Sequence, residues 1–192
     1  NPGIGIYLRS IVIFDRQTDS LKEMCDLLKA NGYYEVFASS DPEEITKSLN
    51  LDEPTHFGVP FSVDLFIIDT SDNLSTLTLI EKCKSHNRFR DVPILALASS
   101  NLEEQIPIAY GLGATDFIRK PIIDLEFISR VRSSIKLSNE MSKRKAREKE
   151  LIEATNQLRD MNQILTKLAL VDTLTQIANR RAFEQTMEIE FK

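Results

Sequence analysis

The sequence predicts an open, doubly wound α/β fold: a five-stranded parallel sheet in the order 2-1-3-4-5, followed by a long C-terminal helix. Three observations predict it. From about Ile11 to Leu137, short apolar runs alternate with stretches of helical periodicity, the pattern of repeated βα units. These units fit a right-handed, two-sided arrangement, because right-handed crossovers are the rule between parallel strands. Between Ile122 and Lys192 there is neither glycine nor proline, so one uninterrupted helix can follow the last strand.

Each element follows from its residues. IVIF (Ile11–Phe14) is the first strand, and a helix follows from about Asp19 to Ala30, with Leu21, Met24, Cys25 and Leu28 on one face. Asn31-Gly32 ends it. YEVFA (Tyr34–Ala38) is the second strand, and in DPEEITKSL Asp41 can cap a helix whose first position suits Pro42. Leu51–Ser62 carries two prolines and a glycine without any period, so it reads as a long loop. DLFII (Asp64–Ile68) is nearly all apolar, as a buried central parallel strand requires. Leu77, Ile80, Cys83 and Lys84 mark a third helix, Pro93–Ala98 a fourth strand, Leu102–Leu112 a fourth helix and Thr115–Ile118 a fifth strand. In such a sheet ligands bind beyond the carboxyl ends of the strands. Asp15, Asp69, Ala98 and Lys120 all lie there.

Composition narrows the functional classes. The 192 residues are 42% hydrophobic and 28% charged, an ordinary globular balance, with net charge −5. That charge implies no general DNA-binding surface. No apolar run reaches the roughly 18 residues of a membrane span, and no signal peptide is visible; the expected free thiols suit a reducing cytoplasm. Cys25 and Cys83 lack CxxC spacing and read as buried free thiols. Two histidines, His56 and His86, are too few for a zinc site or a His relay.

The long helix has two parts of its own. SKRKAREKE (Ser142–Glu150) is almost entirely charged and reads as a solvated linker face, with a phospholipid or nucleotide contact as the alternative. Leu151, Ala154, Leu158, Met161, Leu165 and Leu168 then follow 3-4-3-4-3 spacing, an a/d seam of about two and a half heptads. Two readings are open: a parallel homodimer stalk, or a helix that packs back on its own domain.

With these residues placed, the chain from Ile11 to Leu137 resembles the receiver domain of bacterial response regulators, whose fold is flavodoxin-like. GATDFIRKP (Gly113–Pro121) is similar to that family's fifth-strand signature. The resemblance implies a phospho-accepting Asp69, a phosphoryl-contacting Lys120 and a switch aromatic at Phe117. It also implies a weak Mg²⁺ site at Asp15, Asp69 and Ser71. A second resemblance follows the stalk: VDTLTQIANRRAF (Val171–Phe183) is similar to the opening DxLTxxxNRR element of GGDEF domains, which make cyclic di-GMP. The expected organisation is therefore a leader or upstream linker (1–10), a receiver (11–137), a helical stalk (138–170) and the first part of a GGDEF domain (171–192). A PleD-type layout, with a second receiver upstream, fits as well. The fragment itself is no cyclase; the implied partners are a GGDEF output domain in the same chain, a histidine kinase or upstream receiver, and a second copy.

Several positions depart from the receiver pattern. Arg16 stands where the second metal-binding acid belongs, Ala98 where the family has Thr or Ser, and Asn73 in place of a proline; a glycine is missing near Leu77. An arginine held ~4 Å from Mg²⁺ would repel it by roughly 8 kcal/mol at an effective dielectric of ~20. The side chain can swing away, so this is an upper bound. Mg²⁺ binding is thus expected to be weakened, with Arg16 able to act as a built-in counter-ion to Asp15 or Asp69. Ser99 follows Ala98 but should point to the opposite side of the strand, a poor substitute for the missing hydroxyl. Asp19 is either a rescue ligand or a first-turn acid favoured by the helix dipole. The bland reading also stands: Asp15 and Asp69 as structural acids neutralised by Arg16 and Lys120, and Phe117 as a core aromatic.

Overall fold

The computed structural model describes residues 10–52, 62–71, 73–99 and 105–170. Its elements are β1 (Ser10–Phe14), α1 (Thr18–Ala30), β2 (Glu35–Ser39), α2 (Pro42–Ser48), β3 (Val63–Asp69), α3 (Asn73–Ser85), β4 (Ile94–Ser99), α4 (Gln105–Gly111), β5 (Asp116–Lys120) and α5 (Asp124–Leu170). All neighbouring strands pair in parallel, and the sheet order is β2-β1-β3-β4-β5, as the alternation of elements predicts. The leader (all but Ser10), most of the 51–62 loop and the expected GGDEF start lie outside the described residues.

Strand alternation sorts the core into two layers. Ile11 and Ile13 of β1, Leu65 and Ile67 of β3, Leu95 and Leu97 of β4 and Ile118 of β5 pack with α1 (Met24, Leu28) and α5 (Phe127, Val131, Ile135). Val12 and Phe14, Phe66 and Ile68, and Ile94 and Ala96 pack on the other face with α2 (Ile45), α3 (Leu79, Ile80, Cys83) and α4 (Ala109). β1 is buried along its whole length, so both of its faces must be apolar, as the IVIF run is.

Local chemistry sets the helix boundaries. Asp41 accepts a hydrogen bond from Glu43 N at 2.9 Å, and Pro42 opens α2 behind it. α1 ends through Gly32 at φ +88°, with Gly32 N donating to Lys29 O and Tyr33 N to Leu28 O. α4 (Gln105–Gly111) falls within the 102–112 span expected, of which 102–104 lie outside the described residues. Gly113 has φ +107°, and a Cβ there would come within 3.0 Å of the Lys84 stem. That stem runs to an ammonium donating to Arg90 O (3.1 Å) and Val92 O (2.9 Å), which fixes the loop entering β4. Burial lowers the Lys84 pKa despite these bonds.

The chain divides into two compact units after Ser142. Within the first, α5 buries Phe127, Val131 and Ile135 and, near its end, Ser138. Within the second, every side chain from Lys143 to Leu168 is exposed; Leu158, Met161, Leu165 and Leu168 are 62–63% exposed. No helix among the described residues is long and apolar enough to cross a membrane.

Both cysteines are free thiols on helices, but only Cys83 is buried; Cys25 is half-buried at the edge of the α1 contact. The α1 stripe turns Met24 and Leu28 fully inward, which leaves Cys25 one residue off the buried line. Desolvation pushes the Cys83 thiol up to about 12, so at pH 8 its thiolate fraction is about one part in ten thousand. Iodoacetamide at pH 8 is expected to alkylate Cys25 in the folded protein and Cys83 only after unfolding. Peptide mapping that finds both labelled at similar rates would contradict this packing.

Candidate functional site

Four residues at strand ends project to one side of the sheet. Asp15 follows β1, Asp69 ends β3, Ser99 ends β4 and Lys120 ends β5. Each stands two residues beyond a member of the α1/α5 layer (Ile13, Ile67, Leu97 and Ile118), so alternation directs them to that side. Register does the rest: β4 sits between β3 and β5, and Ser99 is paired with Lys120. The Lys120–Pro121 peptide bond is cis.

The geometry is a closed charge network. Lys120 Nζ donates to Asp15 Oδ2 at 2.8 Å and lies 3.2 Å from Asp69 Oδ2. Asp15 Oδ1 accepts from Gln17 N at 2.9 Å. Asp69 Oδ1 accepts from Ser71 N at 3.2 Å and from Ser71 Oγ at 2.6 Å. Ser71 Oγ is in turn 3.0 Å from Ser99 Oγ. Asp15 and Asp69 are 0% and 3% exposed, so their charges depend on these partners rather than on water. Thr70 anchors the loop root, with its N and Oγ1 both 2.8 Å from Leu97 O.

The remaining sequence-picked residues fall as follows. Arg16 is exposed, and the cation that bridges the two carboxylates is Lys120. Ala98 is buried on the opposite, α2–α4 side. Asn73 opens α3; its side chain, like residue 72, lies outside the described set. Phe117 is half-buried on Ala98's side and packs against that layer. Tyr110 of α4 meets its ring edge-on (6.1 Å, 86°), and the Arg130 guanidinium of α5 stands 6.0 Å from its centroid. Hydrogen bonds to Asp116 (2.7 Å) and then Glu126 (2.9 Å) raise the Arg130 pKa. Asp19 lies with Gln17, Ser20, Glu23, Ser99 and Lys120 around a cleft of about 480 Å³ at this end of the sheet.

Sequence reasoning missed Ser99. Ser99 does point away from Ala98's side, as alternation demands, but Asp69 and Lys120 share the side it points to. The available signal was parity: Ser99, like Asp69 and Lys120, stands two residues past an inward-facing apolar residue of the α1/α5 layer. Among the described residues, the buried Thr76 Oγ1 on α3 has no hydrogen-bond partner.

Among the described residues, no group of three or more His, Cys, Asp or Glu side chains could hold a metal ion. The two site carboxylates are already bridged by an ammonium, and Arg16 adds a second positive charge beside Asp15 where a further oxygen ligand would be needed.

No family model matches the chain. Among curated proteins it is 36% identical over 87 residues to the regulatory protein VirG of Agrobacterium fabrum, covering 45% of this chain and 34% of VirG. It is 30% identical over 95 residues to the two-component response regulator ARR6 of Arabidopsis thaliana, covering 49% of this chain and 50% of ARR6. The chain thus matches a third to a half of the length of these relatives. Among solved structures, NtrX from Brucella abortus superposes with a TM-score of 0.58 at 20% identity, over 70% of this chain and 28% of NtrX. The receiver domain of the sensor histidine kinase PA1611 from Pseudomonas aeruginosa superposes at 0.55 and 17% identity, over 67% of this chain and 98% of that domain. The fold is the one these receiver structures have, and over part of its length the sequence is similar to two-component response regulators.

Two buried carboxylates left without their cation would destabilise the domain strongly. Lys120→Met is expected to lower the unfolding free energy by about 3 kcal/mol in urea titrations. An unchanged midpoint would show that the bridge is not what neutralises Asp15 and Asp69.

Proposed function

We propose that this receiver is degenerate and serves as the regulatory and dimerisation module of a larger signalling protein. The observation that carries the reading is the Lys120 ammonium held by both Asp15 and Asp69, with Arg16 beside them and no hydroxyl at residue 98. In place of a metal-loaded acceptor, the site is an internally neutralised clamp. Such a domain would act through assembly in the cytoplasm, with the 151–168 seam joining two copies in parallel. The output domain in this reading is a diguanylate cyclase, on the strength of the resemblance of 171–183 to the start of a GGDEF domain. Reading the parent sequence past Lys192 tests that part directly.

A second reading has one observation in its favour. Asp69 Oδ2 is 3.2 Å from Lys120 Nζ, the pairing an acceptor carboxylate and a phosphoryl-neutralising lysine need. In that reading a histidine kinase or an upstream receiver supplies the phosphoryl group, and Asp69 carries it. Here Ser71 and Lys120 orient the carboxylate, and the lysine offsets charge on the transferring oxygens.

Intact mass after incubation with acetyl phosphate and Mg²⁺, beside an Asp69→Asn control, separates the two. The clamp reading expects no added mass on a folded protein. One phosphoryl group, absent from the control, would replace it with the acceptor reading.

The stalk is tested separately. Leu158 sits at the centre of the seam, so Leu158→Asp is expected to convert a dimer into monomers in sedimentation velocity. A dimer that persists in the variant would take the seam out of the account.

A further inference from the structure

We propose that the stalk carries an anion-binding layer, in which Arg144 and Arg147 of two paired copies close around one soluble, diphosphate-bearing anion. This layer depends on the parallel pairing proposed above and adds a ligand to it. Counted back from Leu151 in the same steps of four and three, the seam passes through Arg147 and then Arg144. Both are exposed and both lie on the continuous helix α5. The seam line therefore runs on before Leu151, but its chemistry changes from leucine to arginine.

Parallel, in-register pairing dictates what faces what. Arg144 takes an a position and Arg147 a d position, so each meets its counterpart across the axis. Three residues of helix separate the two layers by about 4.5 Å, which gathers four guanidiniums in one short stretch of the axis. Acids are few there: Ser142–Glu150 holds five Lys or Arg against Glu148 and Glu150 alone. Glu148, at e, is placed to meet Lys143, at g, of the other copy, the kind of pair that fixes register. Glu150 stands three residues after Arg147, one acid per chain against two seam arginines. Lys149 takes no part, since it lies on the outer face, 3.9 Å from Glu153.

Like charges meeting at a and d would splay the stalk at this end unless a counter-ion joins them. A phosphate group matches the need, because the planar guanidinium fork binds its oxygens bidentately and chloride has no second acceptor to offer. Two linked phosphates present oxygens to both layers and both chains. One helix alone supplies only half of the cluster, so the anion prefers the pair and draws copies together by mass action. The site lies between two helices, out of reach of a bilayer surface, which selects a soluble anion over a lipid headgroup.

The test is the dimer dissociation constant from sedimentation equilibrium, in sodium chloride and in about 1 mM inorganic pyrophosphate at matched ionic strength, without divalent metal. Pyrophosphate is expected to lower the constant about tenfold. Arg144→Leu/Arg147→Leu should pair at least as tightly as the wild type in chloride and lose the pyrophosphate dependence. Lysine at both positions keeps the charge without the fork and should keep only part of it. A wild-type dimer with the same constant in both salts would overturn the anion layer and leave the paired stalk standing. A chain monomeric in both would remove the stalk and the layer together. A pyrophosphate effect undiminished in the double leucine variant would also overturn the proposal. So would equal co-sedimentation of the wild type and Leu158→Asp with phosphatidylserine vesicles, which would make the basic stretch a membrane contact of the single helix.

Discussion

The site depends on one interaction, the Lys120 ammonium shared by two buried carboxylates. Each partner comes from a different strand, and the three strands are not adjacent in a single hairpin: Asp15 from β1, Asp69 from β3 and Lys120 from β5. The order β2-β1-β3-β4-β5 brings their carboxyl ends within reach of one another, with β4 supplying Ser99 between β3 and β5. Burying two carboxylates this deeply without a cation is costly, so the lysine supports the fold as well as the site. Its long stem lets an ammonium at the edge of the sheet reach across β4 to β3 and β1.

The parity of the strands then divides labour between the two faces. Charged and hydroxyl groups of the site lie on the α1/α5 side, while Ala98, Phe117 and Tyr110 occupy the other. On that second side the contacts are aromatic and apolar, closed off by Arg130 reaching from α5 to Asp116 and towards the Phe117 ring. An aromatic held between Tyr110 and Arg130 has neighbours on both sides and no hydroxyl at residue 98 to follow. The polar chain on the first side has what the second lacks, a continuous run of hydrogen bonds ending on a carboxylate.

Much of the fold was legible because period and punctuation agreed. The IVIF and DLFII runs read as buried parallel strands, Asp41-Pro42 marked a helix start, and Asn31-Gly32 a helix end; each signal has a local physical cause that tertiary context did not override. Among the site residues, Asp15, Asp69 and Lys120 could be located by strand ends alone. Their shared bridge could not, since it depends on register across strands far apart in sequence. Ser99 was dismissed by comparing it with residue 98 rather than with Asp69 and Lys120, the residues whose parity decides its side.

The stalk poses a different physical problem. Its seam residues are exposed in the single chain, and a row of leucines left in water is an unmet demand for a surface. The period of the row says which kind of surface. A 3-4-3-4-3 spacing averages 3.5 residues per turn, whereas a straight helix has 3.6, so the stripe drifts by about 20° per heptad around the helix. Over about two and a half heptads it turns by roughly 50°, enough to carry its last leucine off a flat partner. A globular face that matched Leu151 would lose Leu168. A second helix winding with the same left-handed drift keeps both, because the two seams rotate together. The charged stretch before Leu151 carries no such stripe.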